Sequence, residues 1–519
     1  MDERRRGAAA LVALSAGAFL FSAYFSARAP CGSWDNSVFG ARMWNEGDPG
    51  GYYLASAHAL FYSGGRLLYP GHPGLPLQIL LHAVQAVYFL ISAPVSLDFT
   101  AFVARHIAQV FFLSKLLMTC LHILSFWLLY AFARKALDRD RAALLCVLGY
   151  ATSLPVLYYL SRISVEPLVA VFFLSTFLAL WECEESLVRG RRGRALAMAA
   201  LAGAAAVSGL ATKFHLLWPL PLVGLLSMRK ARRSALLAYA ASAALAFALY
   251  SILLDWRDFF AYWDVSGMGG SAAEGLSGLA RRQLGVFPAI TRGLARIPLE
   301  NWLPGRTKSG LFLFCELPLL AAAAYGMVRA SRGVEKTPKR LGWPATAAVY
   351  TVLIWAYRAA GVSGDFHDFH YLFVFMLLAC VFFGTASDAL LTRLKAAPGS
   401  RKEASLIFLW LVAIHFASIW AAFDTRARDA GYYRLIRAFP DALASAPAGE
   451  RVAVIGSRPF SVARLLGLGV LRDTPPTSSR LLDAVSTAFT FGEPIGPGIG
   501  AVVEVSKVNG VDTAVLRAR

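Results

Sequence analysis

Eleven polar residues stand out in a chain that is otherwise mostly apolar: Asp35, Asp48, His72, Arg162, Glu166, Lys213, His215, Arg358, His367, Asp368 and His370. Carboxylates such as Asp35, Asp48 and Glu166 have the chemistry of a general base. Cations such as Arg162, Lys213, Arg358 and His215 can stabilise negative charge that develops in a reaction. His367, Asp368 and His370 combine ligand types that suit zinc or manganese. Ionisable groups at the depth of a membrane are expensive and usually functional. Taken singly, each residue also has the plain reading of a solvated loop side chain. What gives them weight is that all of them map to the same side of a membrane.

The elements that must position them are membrane helices. Of the 519 residues, 57% are hydrophobic and only 16% are charged, and mean hydropathy is +0.53. Soluble domains carry roughly a quarter charged residues, so a soluble enzyme is excluded, as is a disordered chain. The net charge of +19 comes from 51 Lys+Arg against 32 Asp+Glu. The basic residues are scattered over separate loops, which argues against nucleic acid as a partner. Six cysteines show no metal-ligand spacing, and five of them lie in or beside apolar stretches.

A spanning helix needs about 20 apolar residues. Such stretches occur at 7–29, 108–133, 142–160, 166–181, 195–211, 214–228, 234–254, 310–328, 343–360, 371–391 and 405–423, about eleven in all. A further stretch, 75–94, carries Gln78, His82 and Gln85 and reads as interfacial or re-entrant. With the N-terminus inside, basic clusters at 4–6, 134–141, 189–194, 229–233, 329–340 and 393–402 all face the cytoplasm, as the positive-inside rule requires. The outer side then receives loops 30–107 and 255–309 and the tail 424–519. Strand-like runs at 451–456, 501–505 and 513–516, with helix-like runs at 461–471 and 479–488, make the tail a small α/β domain. The expected fold is therefore an all-α polytopic membrane domain over 1–423, followed by an extracytoplasmic α/β domain. High Ala, Arg and Gly content suggests a GC-rich bacterial genome, so the expected membrane is the bacterial cytoplasmic (inner) one.

Several motifs follow one another in order over residues 35–372. Asp48-Pro49-Gly50-Gly51-Tyr52-Tyr53 leads into Gly64-Gly65 and His72-Pro73-Gly74. Ser161-Arg162 precedes Glu166-Pro167, Gly209-Leu210 precedes Thr212-Lys213, and His370-Tyr371-Leu372 comes late. This series resembles the GT-C glycosyltransferases, including protein O-mannosyltransferases, lipid A aminoarabinose transferases and their bacterial family 39 relatives. The resemblance implies an inverting transfer of a sugar from a polyprenyl-phosphate lipid donor to an extracytoplasmic acceptor hydroxyl, with membrane lipids as surroundings.

It also implies roles. Asp48 is the first choice for the base, although Pro49 stands where the family usually has Glu, and Asp35 is the second choice. Glu166 would orient the acceptor or bind a metal; alternatively it is a first-turn acid favoured by the helix dipole. Lys213, Arg162, Arg358 and His215 would meet the donor phosphate, with snorkelling as the alternative for Lys213. Tyr52, His72, His367, His370 and Tyr371 complete the expected site, His72 as a hydrogen-bonding partner at its Pro-Gly turn. His370 stands where the family often has Arg. The resemblance fixes no cofactor, and a divalent metal, for which 367–370 offers ligands, stays open. The competing readings are a flippase for lipid-linked glycans and a non-catalytic envelope scaffold.

Overall fold

The computed structural model describes residues 3–28, 50–60, 74–92, 99, 102–103, 106–160, 162–213, 220–227, 233–254, 369–396, 409, 452–456, 501–508 and 511–518. Helices dominate: α1 (Glu3–Arg28), α2 (Gly50–Ala59), α3 (Leu75–Ser92), α4 (Ile107–Leu137), α5 (Asp140–Ala151), α6 (Leu154–Tyr159) and α7 (Glu166–Val188). They continue with α8 (Arg192–Thr212), α9 (Leu220–Ser227), α10 (Arg233–Leu253) and α11 (Phe369–Ala396). Six of these, α1, α3, α4, α7, α8 and α10, contain segments long and apolar enough to cross a bilayer. The chain is an integral membrane protein. The stretches 310–328 and 343–360, and 405–423 apart from Leu409, lie outside the described residues.

Burial sorts the helices into inner and outer ones. α7 lies at the centre, with Phe173, Phe177 and Trp181 all at most 2% exposed. The Trp181 indole meets Phe132 of α4 edge-on, with ring centroids 6.1 Å apart. On α10, in contrast, Leu237, Leu245 and Ile252 are 59–74% exposed, as side chains facing lipid tails would be. α10 reaches the core through small residues on α8. A Cβ added at Gly203 would run into the Tyr239 carbonyl, so only glycine permits this approach.

One span differs from the sequence reading. The stretch 142–160 is not one helix but α5 and α6, broken at Thr152 and Ser153. The Thr152 hydroxyl bonds back to Leu148 O at 2.7 Å and the Ser153 hydroxyl to Tyr150 O at 2.8 Å. Pro155 then sits in the first turn of α6, where its missing N–H costs nothing. The break turns the chain toward Arg162 and the start of α7. The 75–94 stretch forms one helix of 18 residues, α3.

Ion pairs gather where α4, α7 and α11 end and α5 and α8 begin. Lys135 reaches Glu182 at 2.8 Å and Glu185 at 3.3 Å, and Arg194 reaches Glu182 at 2.8 Å. Arg134 pairs with Asp140 at 2.7 Å. Asp388 of α11 is held by Arg141 and by Arg139 at 3.2 Å, joining α11 to the start of α5. Exposed pairs contribute little singly, but the Asp388 side chain is only 4% exposed. Asp388→Ala is expected to cost about 1.5–3 kcal/mol, the range for hydrogen bonds to charged groups. Thermal unfolding in detergent measures this, and an unchanged melting temperature would reduce the contact to a surface decoration.

The tail contributes a three-stranded sheet in the order β1 (Val452–Gly456), β2 (Ala501–Val508), β3 (Val511–Ala518). β1 runs parallel to β2, pairing Val452 with Ala501, and β3 is antiparallel to β2. The three strand-like runs are thus strands. A parallel neighbour demands a crossover connection; the helix-like runs that would form it, 461–471 and 479–488, lie outside the described residues.

Candidate active site

The far end of α7 from the ion-pair lattice carries a different arrangement. Glu166 opens the helix, followed by Pro167, with no side-chain cap at Val165. An acid and a proline in the first turn suit the helix dipole and the unbonded N–H groups there. α8 runs back toward the same end and stops at Lys213, whose φ of −154° and ψ of 83° leave the helical region. Here the two meet: Lys213 Nζ donates to Glu166 Oε1 at 2.8 Å, and both side chains are 1% exposed. Glu166 lies about 24 Å along the axis from Glu182 of the lattice, at 1.5 Å per residue. That is close to the thickness of a bilayer's hydrocarbon core.

A glycine turn holds the pair in place. Gly74, at φ +129°, donates its N–H to Ala211 O at 3.0 Å, two residues before Lys213. Its own carbonyl accepts from Gln78 N at 2.9 Å and so begins α3. The Tyr53 ring and the Val165 side chain close over it. α2 is in turn fixed to α3 by two side chains: His82 Nδ1 lies 2.8 Å from Ala57 O, and Gln85 Nε2 donates to Leu54 O at 3.1 Å. Tyr53, Leu54 and Ala57 thus form one apolar cluster with Leu77, Leu81, Ile163, Val165 and Leu168.

Arg162 lies four residues before Glu166, on the turn that its N–H makes with Tyr159 O at 3.0 Å, and is 5% exposed. α4 supports this turn, since Thr119 Oγ1 donates within 3.1 Å of Leu160 O. One turn along α4 is Lys115, which is 6% exposed. It shares a face with Phe111 and Met118, and these two pack in the cluster of Ile163 and Val165. Lys115 is a residue the sequence reading passed over. Its signal was a lone lysine inside the apolar stretch 108–133.

The structure therefore brings together Glu166 and Lys213, with Arg162 buried on the approach to Glu166. Tyr52 lies on α2, and His370 and Tyr371 lie in the first turn of α11; these three are described by backbone position only. Asp35, Asp48, His72, His215, Arg358, His367 and Asp368 lie outside the described residues. Among the described residues, no three His, Cys, Asp or Glu side chains are grouped so as to hold a metal ion. What the pair can do chemically is present a fixed ammonium and a carboxylate in a site shielded from water, where electrostatic interactions are strong.

No family model matches the chain, and no curated protein does either. Solved structures do. The apo structure of ArnT from Cupriavidus metallidurans covers 97% of this chain and 94% of its own, at 11% identity and a TM-score of 0.50. The same protein bound to undecaprenyl phosphate covers 95% and 92%, at 11% identity and a TM-score of 0.48. The likeness to the apo structure shows a shared fold.

Proposed function

We propose that the chain is an inverting glycosyltransferase, moving a sugar from a polyprenyl-phosphate donor to a hydroxyl outside the cytoplasm. The observation that carries this reading is the buried Glu166–Lys213 pair, 2.8 Å apart, at the opposite end of α7 from the ion-pair lattice. Basic residues concentrate on cytoplasmic ends, so the lattice belongs inside and the pair belongs outside, in a bacterial inner membrane. The fold shared with ArnT supports the family assignment that the Asp48 to His370 motif series suggests.

In this reading the acceptor oxygen attacks the anomeric carbon and the bond from that carbon to the phosphate oxygen breaks. The lipid phosphate leaves as an anion, and the acceptor proton passes to Asp48, with Asp35 as the alternative base. Lys213 and Arg162, with Arg358 and His215, neutralise the charge on the leaving phosphate. Glu166 aims the Lys213 ammonium. No acid is needed, because the leaving group is already a stable anion.

The test uses the full-length chain in nanodiscs with decaprenyl- or undecaprenyl-phosphate sugars as donors. Asp48→Asn should reduce transfer by roughly 10²–10⁴-fold, the range for loss of a general base, without lowering the unfolding temperature. Full activity in both Asp48→Asn and Asp35→Asn would sink the base assignment.

A further inference from the structure

Four buried polar atoms at the two helix starts that meet around Gly74 make no hydrogen bond among the described residues: Gln78 Oε1 and Nε2, Ser164 Oγ and Glu166 Oε2. Gln78 is 0% exposed, Ser164 1% and Glu166 1%. Isolated atoms of this kind occur elsewhere, among them Ser26 Oγ, Ser387 Oγ and Gln85 Oε1 further along α3. Here they belong to two helix starts that meet at one turn. Gln78 is one turn into α3, bonded through its N–H to Gly74 O at 2.9 Å. Ser164 and Glu166 flank Val165, whose side chain packs on Gly74. Buried hydroxyls in the surrounding helices are instead satisfied locally, as Thr176 is by Phe172 O and Thr212 by Ser208 O, at 2.8 and 2.7 Å. Buried polar groups are paired in native proteins, with protein, water or ligand, and an unpaired one is costly.

We propose that Gln78, Ser164 and Glu166 Oε2 form the subsite that binds the hydroxyls of the sugar on the lipid donor. This rests on the glycosyltransferase reading. The chemistry selects the ligand class. A primary amide donates and accepts at once, so it matches two adjacent sugar hydroxyls, one donating to Oε1 and the other accepting from Nε2. Ser164 adds a hydroxyl of either sense. Glu166 Oε2, as a carboxylate oxygen, only accepts, so it takes a hydroxyl and repels an anion. The subsite therefore fits a neutral sugar with two free neighbouring hydroxyls and disfavours a uronic acid.

Gln78→Leu tests this, because leucine has nearly the same volume and needs no partner. Thermal stabilisation of the full-length chain in detergent is read with bare undecaprenyl phosphate and with the lipid carrying mannose, glucose, galactose or glucuronate. The wild-type chain should bind at least one neutral sugar-bearing lipid more tightly than the bare lipid, and the glucuronate less tightly. Gln78→Leu should lose that preference by about tenfold or more, as sites that bind a hydroxyl do when the partner is removed. It should keep its response to the bare lipid, and its ligand-free melting temperature should stay the same or rise. A lower melting temperature with the sugar preference intact makes Gln78 structural and overturns the proposal. So does a wild-type chain that responds equally to bare and sugar-bearing lipids, an outcome that leaves the donor reading standing. A wild-type chain that ignores bare undecaprenyl phosphate as well overturns both.

Discussion

Lys213→Met should abolish sugar transfer and destabilise the protein in one step. Methionine nearly fills the lysine's space but carries no charge. Glu166, only 1% exposed and with Oε2 already unpaired, would lose the bond that Oε1 accepts. Breaking one side of a buried ion pair costs about 3–5 kcal/mol, because the remaining charge is stranded. Transfer should fall by roughly 10²–10³-fold, as when a preorganised group that stabilises developing charge is deleted. The two effects separate in a double variant. Glu166→Leu with Lys213→Met replaces the pair by apolar groups, which is often neutral for stability. Its unfolding temperature should return toward that of the wild type, while transfer stays absent. Recovery of transfer in the double variant would show that the pair is a packing device and not part of the reaction.

The two halves of this pair were each visible in the sequence, but not their meeting. Glu166-Pro167 reads as a helix start and Thr212-Lys213 as a helix end, and both readings are correct locally. Their contact spans 47 residues and depends on α7 and α8 packing antiparallel, which no local signal states. The same is true of Asp388 with Arg139 and Arg141, separated by 249 and 247 residues. Among the described residues, apolar runs match six helices long and apolar enough to span. They failed at 142–160, because Thr152 and Ser153 are small and hardly lower the hydropathy. The break falls just ahead of Pro155, which has no N–H with which to continue the preceding helix, and a hydropathy window averages that single residue away. Lys115 was hidden for a related reason: one lysine inside the apolar stretch 108–133 leaves that stretch apolar on average. Its significance appears only once Phe111 and Met118 on the same face are seen to pack with Ile163 and Val165.

Gly74→Ala should damage stability and activity through a single methyl group. The glycine sits at φ +129°, a conformation that L-residues rarely adopt and that costs about 1–3 kcal/mol when imposed. The new Cβ would also lie 2.7 Å from the Tyr53 ring and 3.2 Å from Val165 Cγ1. Overpacking of this kind costs about 1–3 kcal/mol more. The two penalties have different cures. Pairing Gly74→Ala with Tyr53→Leu removes the closest clash but not the backbone strain, so thermal unfolding should show partial recovery. Activity should remain low in both variants, because the Gly74 N–H is what ties the start of α3 to Ala211, two residues from Lys213. A backbone pushed out of its left-handed region moves that N–H, and the ammonium then loses the fixed position that the proposed reaction requires of it. Misplacement on the order of 1 Å is enough to cost about 10²-fold in rate. Wild-type transfer by Gly74→Ala would mean that the turn merely fills space. Loss of transfer in a protein that Tyr53→Leu has partly restabilised would instead make the turn the element that sets the reach of Lys213.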